Sequence, residues 1–99
     1  MKIKVQSIHF TADQKLLKFV EEKVDKLFQF YDSIIDSEVY LRLDKSDNSE
    51  NKIAEIKLNT PGKTLFAKEQ CRTFEEATDV AVEALRRQIT KHKEKLRGV

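Results

Sequence analysis

The order of apolar and polar side chains changes period several times along the chain, and each change marks an element. From Lys2 to Ile8 the two kinds alternate, with Ile3 and Val5 on one side and Lys4 and Gln6 on the other, the pattern of a half-buried strand. Leu16, Leu17, Val20, Val24, Leu27, Phe28 and Tyr31 then recur every three or four residues, which places them on one face of a helix running to about Phe30. Lys15, Lys18, Glu22, Lys26 and Gln29 fall outside that stripe, and Glu22 precedes Lys26 in the favourable i,i+4 order. Thr11, with Gln14 three residues on, predicts a capping box at the helix start. Alternation returns from Glu38 to Lys45, with Val39, Leu41 and Leu43 on one face and Tyr40, Arg42 and Asp44 on the other. Ser46 to Asn51 is polar and turn-prone, a mobile hairpin loop leading to a third strand over Ile53 to Asn59. Pro61 and Gly62 fit the central positions of a type II turn, and a fourth strand runs from about Lys63 to Gln70. Thr73 caps a last helix with Glu76 as capping-box partner, and Phe74, Ala77, Ala81, Leu85, Ile89 and Leu96 form its apolar stripe.

The predicted order is β-α-β-β-β-α, an α+β fold. The first strand–helix–strand unit requires a right-handed crossover and a parallel pair, whereas the two later connections are short enough for antiparallel hairpins. A four-stranded mixed sheet with both helices packed on one face follows. The other face would carry Lys4, Gln6, Tyr40, Arg42, Glu55 and Lys57, polar enough to meet water. A chain of 99 residues suffices for a single domain over residues 1–99 and one core.

Charge alters this picture at one place. The net charge of the whole chain is only +2, but residues 86–97, RRQITKHKEKLR, carry six Lys or Arg against one Glu, so the remainder is acidic. On a helical wheel with Leu85, Ile89 and Leu96 facing the sheet, Arg86, Lys93 and Arg97 line one flank. Arg87, Lys91 and Lys95 form a second row. The negative end of the helix dipole accounts for cations in the last turn, Lys95 and Arg97, but not for Arg86, Arg87, Lys91 and Lys93. Clustered cations of this kind are the footprint of a phosphate-binding face. Lys15, Lys18, Lys23 and Lys26 on the first helix alternate with Glu21, Glu22 and Asp25 and alone would be a solvated face. If the helices lie side by side, Lys23 and Lys26 border the same groove.

Other chemistries are excluded by spacing. The longest apolar runs fall far short of a membrane span, and the first residues alternate like a strand instead of forming a signal core, which points to a cytoplasmic protein. A single cysteine, Cys71, has no disulfide partner within the chain and fits a reducing compartment. Pro61, Gly62, Lys63 and Thr64 echo the end of a phosphate-binding loop, yet Lys57 stands where its first glycine belongs and a strand follows. Asp47, Ser49 and Asn51 alternate like oxygen ligands, but Leu58 stands at the twelfth position of the would-be calcium loop. His9 and His92 are too far apart to suggest a metal site or a nucleophile–base pair, and His92 falls on the apolar side of its helix as a packed imidazole. No enzyme activity, cofactor, metal or small-molecule substrate is expected. Tyr40 and Phe66 lack the glycine-framed aromatic run of an RNA-stacking sheet, so base stacking is a poor candidate for the main binding mode.

The stretches IHFTADQKLLKFVEEKVDKL and FEEATDVAVEALRRQITKHKEKL, with the β-α-β-β-β-α order between them, resemble the ribosome hibernation-promoting factor family, also called ribosome-associated inhibitor, in its short form. The resemblance covers essentially the whole chain, and RQITKHKEKL is its most distinctive part. It implies a fold like that of double-stranded RNA-binding domains and a translation inhibitor acting in stress and stationary phase. Its partner would be the small ribosomal subunit and its rRNA, bound as a monomer in the tRNA and mRNA channel so that idle ribosomes are preserved. The matching basic positions are Lys23, Lys26, Arg87, Lys91, Lys93 and Lys95, with Gln88 and His92 also in the motif; Arg86 and Arg97 extend the same surface. Arg72 with Thr73 departs from the acidic residue or glycine expected of many members. Long members add a C-terminal domain that pairs ribosomes, and no such dimerisation domain is expected here. Two readings stand beside this one: a stand-alone module for structured or double-stranded RNA, and a protein-interaction domain whose basic helix takes an acidic partner.

Overall fold

The computed structural model describes residues 2–45 and 49–96, with only the backbone of Lys95 and Leu96. Six elements follow the predicted order: β1 (Ile3–Ile8), α1 (Gln14–Phe30), β2 (Asp36–Leu43), β3 (Lys52–Thr60), β4 (Lys63–Cys71) and α2 (Phe74–Leu96). The sheet order is β1-β2-β3-β4, with β1 parallel to β2 and the other two pairs antiparallel. The register pairs Val5 with Val39, Val39 with Ile56, and Ile56 with Ala67. These side chains therefore rise on one face, because strand residues in register share a side.

Both helices cover that face. Val20, Val24 and Leu27 of α1 and Ala77, Ala81, Leu85 and Ile89 of α2 join Val39, Leu41, Ala54, Ile56, Leu58 and Leu65 in one buried cluster. At about 25 cal/mol per Å² of apolar surface removed from water, this layer is the main source of stability. The opposite face is held by charges that compensate each other. Arg42 Nε meets Glu55 at 2.8 Å, Lys57 meets Glu38 at 3.6 Å, and the Tyr40 hydroxyl donates to Glu38 at 3.1 Å. The hydrogen bond to Glu38 also pushes the Tyr40 pKa up, because ionising the phenol would forfeit it.

The first helix begins later than the sequence pattern predicts. Asp13, not Thr11, is its N-cap, and the Asp13 carboxylate accepts from the Leu16 N–H at 2.7 Å. A carboxylate is a strong cap because it satisfies a free N–H and faces the positive end of the dipole. His9 takes a left-handed φ of 64° just after β1, and Phe10 stacks on Phe74 with ring centroids 4.9 Å apart, pinning the connection to the start of α2. At the other helix the prediction holds: Thr73 Oγ1 accepts from the Glu76 N–H at 3.0 Å. The unusual Arg72–Thr73 pair therefore keeps a functioning cap.

The second strand starts two residues early, at Asp36, and stops at Leu43 instead of Lys45. Leu43, expected on the buried face, is exposed because it forms the last rung of the β2–β3 ladder, at the rim of the sheet. Asp44 N–H to Asn51 C=O at 2.8 Å closes the hairpin. Half of the expected mobile loop, residues 46–48, lies outside the described residues. Gly62 has a φ of 76°, the positive value a type II turn requires of its third residue. β4 is an edge strand, and Gln88 of α2 donates to its Phe66 carbonyl at 2.9 Å, occupying one otherwise open acceptor.

Candidate nucleic-acid interface

α1 and α2 lie side by side and run in the same direction, since Lys23 in the middle of α1 meets Asp79 in the second turn of α2, while Phe30 at the end of α1 meets Arg86 and Lys93 further along α2. The stripe that buries Val20, Val24 and Leu27 leaves Lys23, Lys26 and Phe30, at i, i+3 and i+7, on the flank facing α2. A surface groove of about 530 Å³ runs between the helices, lined by Lys23, Lys26, Gln29 and Phe30 from α1 and by Asp79, Val82, Glu83 and Arg86 from α2. Lys23 and Lys26 thus border the same groove as Arg86.

The second row of cations continues this surface. Arg87 and Lys91 line an adjoining depression with Phe30, Arg86, Thr90 and Glu94, and Lys93 lines a third with Phe30, Thr90 and Glu94. Six of the eight predicted residues, Lys23, Lys26, Arg86, Arg87, Lys91 and Lys93, therefore share one continuous patch. Lys95 lies in the last turn of α2 without a described side chain, and Arg97 lies outside the described residues.

The charges are only partly compensated within the chain. Lys23 pairs with Asp79 at 3.0 Å, and Arg86 with Glu83 at 3.8 Å. Among the described residues, Lys26, Arg87, Lys91 and Lys93 have no carboxylate within ion-pair distance. Arg87 and Lys91 stand at i,i+4, where like charges destabilise a helix by about 0.2–0.5 kcal/mol. A surface that accumulates such repulsion without internal partners is suited to an external polyanion. On the open sheet face, by contrast, Arg42 and Lys57 each have their own carboxylate.

His92 is half-buried and meets Tyr31 edge-on with ring centroids 6.0 Å apart, a packing role. Gln88 is committed to the β4 edge. Phe30 was not singled out by the sequence pattern, which used it only to end α1. It is 36% exposed, with the Arg86 guanidinium 5.0 Å and the Lys93 ammonium 4.9 Å from its ring centre. Its position one helical face away from the core stripe, in register with Lys23 and Lys26, is the signal that distinguishes it. Among the described residues no group of three or more His, Cys, Asp or Glu is placed to hold a metal ion, and no helix is long and apolar enough to cross a membrane.

Fold and groove together define a small α+β domain bearing a cationic cleft between two parallel helices. The chain belongs to the S30AE family, described as sigma 54 modulation protein / S30EA ribosomal protein, which it matches over residues 3–97. It is 34% identical over 79 residues to the ribosome hibernation promoting factor of Klebsiella oxytoca, covering 80% of this chain and 79% of that protein. The factor of the same name from Escherichia coli K12 is 28% identical over 97 residues, 98% of each chain. The ribosome hibernation promotion factor of Deinococcus radiodurans is 33% identical over 81 residues, and there the match spans 81% of this chain but only 42% of the relative. The fold is that of a ribosomal subunit interface protein from Coxiella burnetii, with a TM-score of 0.83 at 20% identity over 95% of this chain and 99% of the other. The N-terminal domain of Protein Y from Thermus thermophilus superposes with a TM-score of 0.78 at 25% identity over 93% and 99%.

Proposed function

We propose that this protein is a cytoplasmic ribosome hibernation factor that binds the small ribosomal subunit, neutralising rRNA phosphates with the α1–α2 face while its body excludes tRNA and mRNA from their channel. It acts as a monomer, makes or breaks no bond, and silences and preserves idle ribosomes. The observation that carries this reading is the convergence of cations from two helices on one groove, with Lys26, Arg87, Lys91 and Lys93 having no carboxylate within ion-pair distance among the described residues. Membership in a family whose relatives bear ribosome-hibernation names supports the choice of polyanion. Parallel helices over a mixed sheet also suit the A-form shape and phosphates of structured RNA, which proteins read with little sequence preference.

Cosedimentation with purified small subunits over a salt series tests the reading. With about five phosphates contacted, the logarithm of affinity falls against log salt with a slope of about −3.5 to −4.5. Charge reversal of both Arg87 and Lys91 removes two contacts, makes the slope shallower by about 1.4 to 1.8, and weakens binding at 0.1 M salt by at least about 25-fold. Both side chains are exposed, so the fold is retained. A slope near zero, or a charge-reversed variant that still cosediments like the wild type, refutes the reading. Free duplex RNA added as competitor should displace the protein poorly; efficient displacement favours a general double-stranded RNA module instead.

A further inference from the structure

Phe30 is the common wall of the groove and of both depressions beside it, and it is the point on which the cations of α2 converge. Phe30 is 36% exposed, and what sets it apart from a more exposed ring such as Phe66 is the pair of cations against it. The Arg86 guanidinium and the Lys93 ammonium lie 5.0 and 4.9 Å from the ring centre, and Lys93 also lies 5.7 Å from the Tyr31 ring. A flat apolar face flanked by two mobile cations matches a nucleotide, whose base offers a π-surface and whose phosphate offers the charge. A purely anionic ligand would gain nothing from the ring, and a purely apolar one would have to strip water from the cations.

We infer that Phe30 is a stacking platform for one unpaired base of the bound RNA, with Arg86 and Lys93 taking the phosphate next to that base. Without RNA the two cations rest on the ring. When a phosphate arrives, their long side chains swing onto it, while the ring, fixed in the last turn of α1, presents its face to the base. Arg86 suits this exchange, because a guanidinium both stacks on flat π-surfaces and hydrogen-bonds phosphate. Glu83, 3.8 Å from Arg86, holds the guanidinium only loosely at this exposed site. The site gives the protein a contact that recognises an unpaired nucleotide as such, beyond the duplex phosphates around it. It rests on the rRNA-binding reading above but adds a base contact to it.

The test compares wild type, F30L, F30Y and F30W for binding to small ribosomal subunits and, separately, to inorganic polyphosphate, a polyanion without bases. F30L should bind subunits at least about fivefold more weakly, with its salt slope unchanged, because a stacked base is lost and no phosphate contact is. F30L should bind polyphosphate like the wild type, and F30Y should match the wild type on both ligands. The chain has no tryptophan, so in F30W the new indole is the sole one, and its emission should be quenched when subunits bind. Three results overturn the inference alone: F30L binding subunits like wild type, F30L losing polyphosphate affinity equally, or F30W emission unchanged on saturation with subunits. Wild-type chain that binds no subunits at any salt overturns the rRNA-binding reading and the inference together. Melting temperatures of the three variants within a few degrees of wild type show that the fold is intact, as expected for a partly exposed position.

Discussion

If the α1–α2 face binds rRNA as proposed, replacing Asp79 by Asn should make the protein bind small subunits more tightly. In the folded chain the Asp79 carboxylate lies 3.0 Å from Lys23 Nζ and so compensates charge that Lys23 would otherwise offer to a phosphate. Asparagine keeps the shape and removes the charge. The stability lost is small: the side chains of Lys23 and Asp79 are 32% and 51% exposed, and ion pairs at such sites contribute about 0–1 kcal/mol once screening and side-chain entropy are counted. The binding gain is larger. Releasing Lys23 adds one phosphate contact, worth a slope of about 0.7 to 0.9 in log affinity against log salt, which at 0.1 M relative to 1 M is about five- to eightfold. Fluorescence anisotropy of labelled protein titrated with small subunits at five salt concentrations measures both affinity and slope, and a thermal melt followed by circular dichroism checks the fold. Lys23→Met in the Asp79→Asn background should cancel the gain, closing a double-mutant cycle on the pair. If Asp79→Asn weakens binding, the carboxylate serves to aim Lys23 instead of neutralising it. An unchanged slope would mean that Lys23 meets no phosphate.

The core and the turns give three further tests. Thr78 is fully buried, and its hydroxyl has no hydrogen-bond partner among the described residues, so Thr78→Val should raise stability by about 1 kcal/mol and the melting temperature by about 4–8 °C. His9, at a φ of 64°, should not tolerate a β-branched residue: His9→Val is expected to lower stability by about 1 kcal/mol in urea unfolding, whereas His9→Asn should be nearly neutral. Burial first, then the neighbouring Glu76 carboxylate, pushes the Cys71 thiol pKa up. Near and above the ordinary thiol range the folded state then holds its proton more firmly than the unfolded one. Stability from this group is therefore complete below the unfolded pKa and is lost as pH rises through the folded value. Unfolding followed between pH 8 and 11 should show a decline that is smaller in Cys71→Ala, and native Cys71 should react slowly with iodoacetamide at pH 8.

Periodicity along the chain determined the six elements, their order and the parallel β1–β2 crossover, because alternation and the three-to-four repeat are consequences of backbone geometry and need no partner. It also located the cations of α2 and separated those the helix dipole explains from Arg86, Arg87, Lys91 and Lys93. Local competition was harder to read. Thr11 and Asp13 are both good caps two residues apart, and periodicity alone does not choose between them; the structure uses Asp13, with Phe10 just ahead stacked on Phe74. Leu43 follows the strand pattern yet ends exposed, since alternation tells which face a residue joins but not how far the helices extend over it. The groove itself belongs to tertiary structure. Lys23 meets Asp79, and Phe30 meets Arg86 and Lys93, only because both helices pack in parallel on the same sheet face, with the separation and stagger set by the side chains buried between them. Charge type and helical face are written into the sequence, whereas which charge is neutralised and which ring the others rest on were decided by packing, because contacts between distant segments exist only once the core has brought them together.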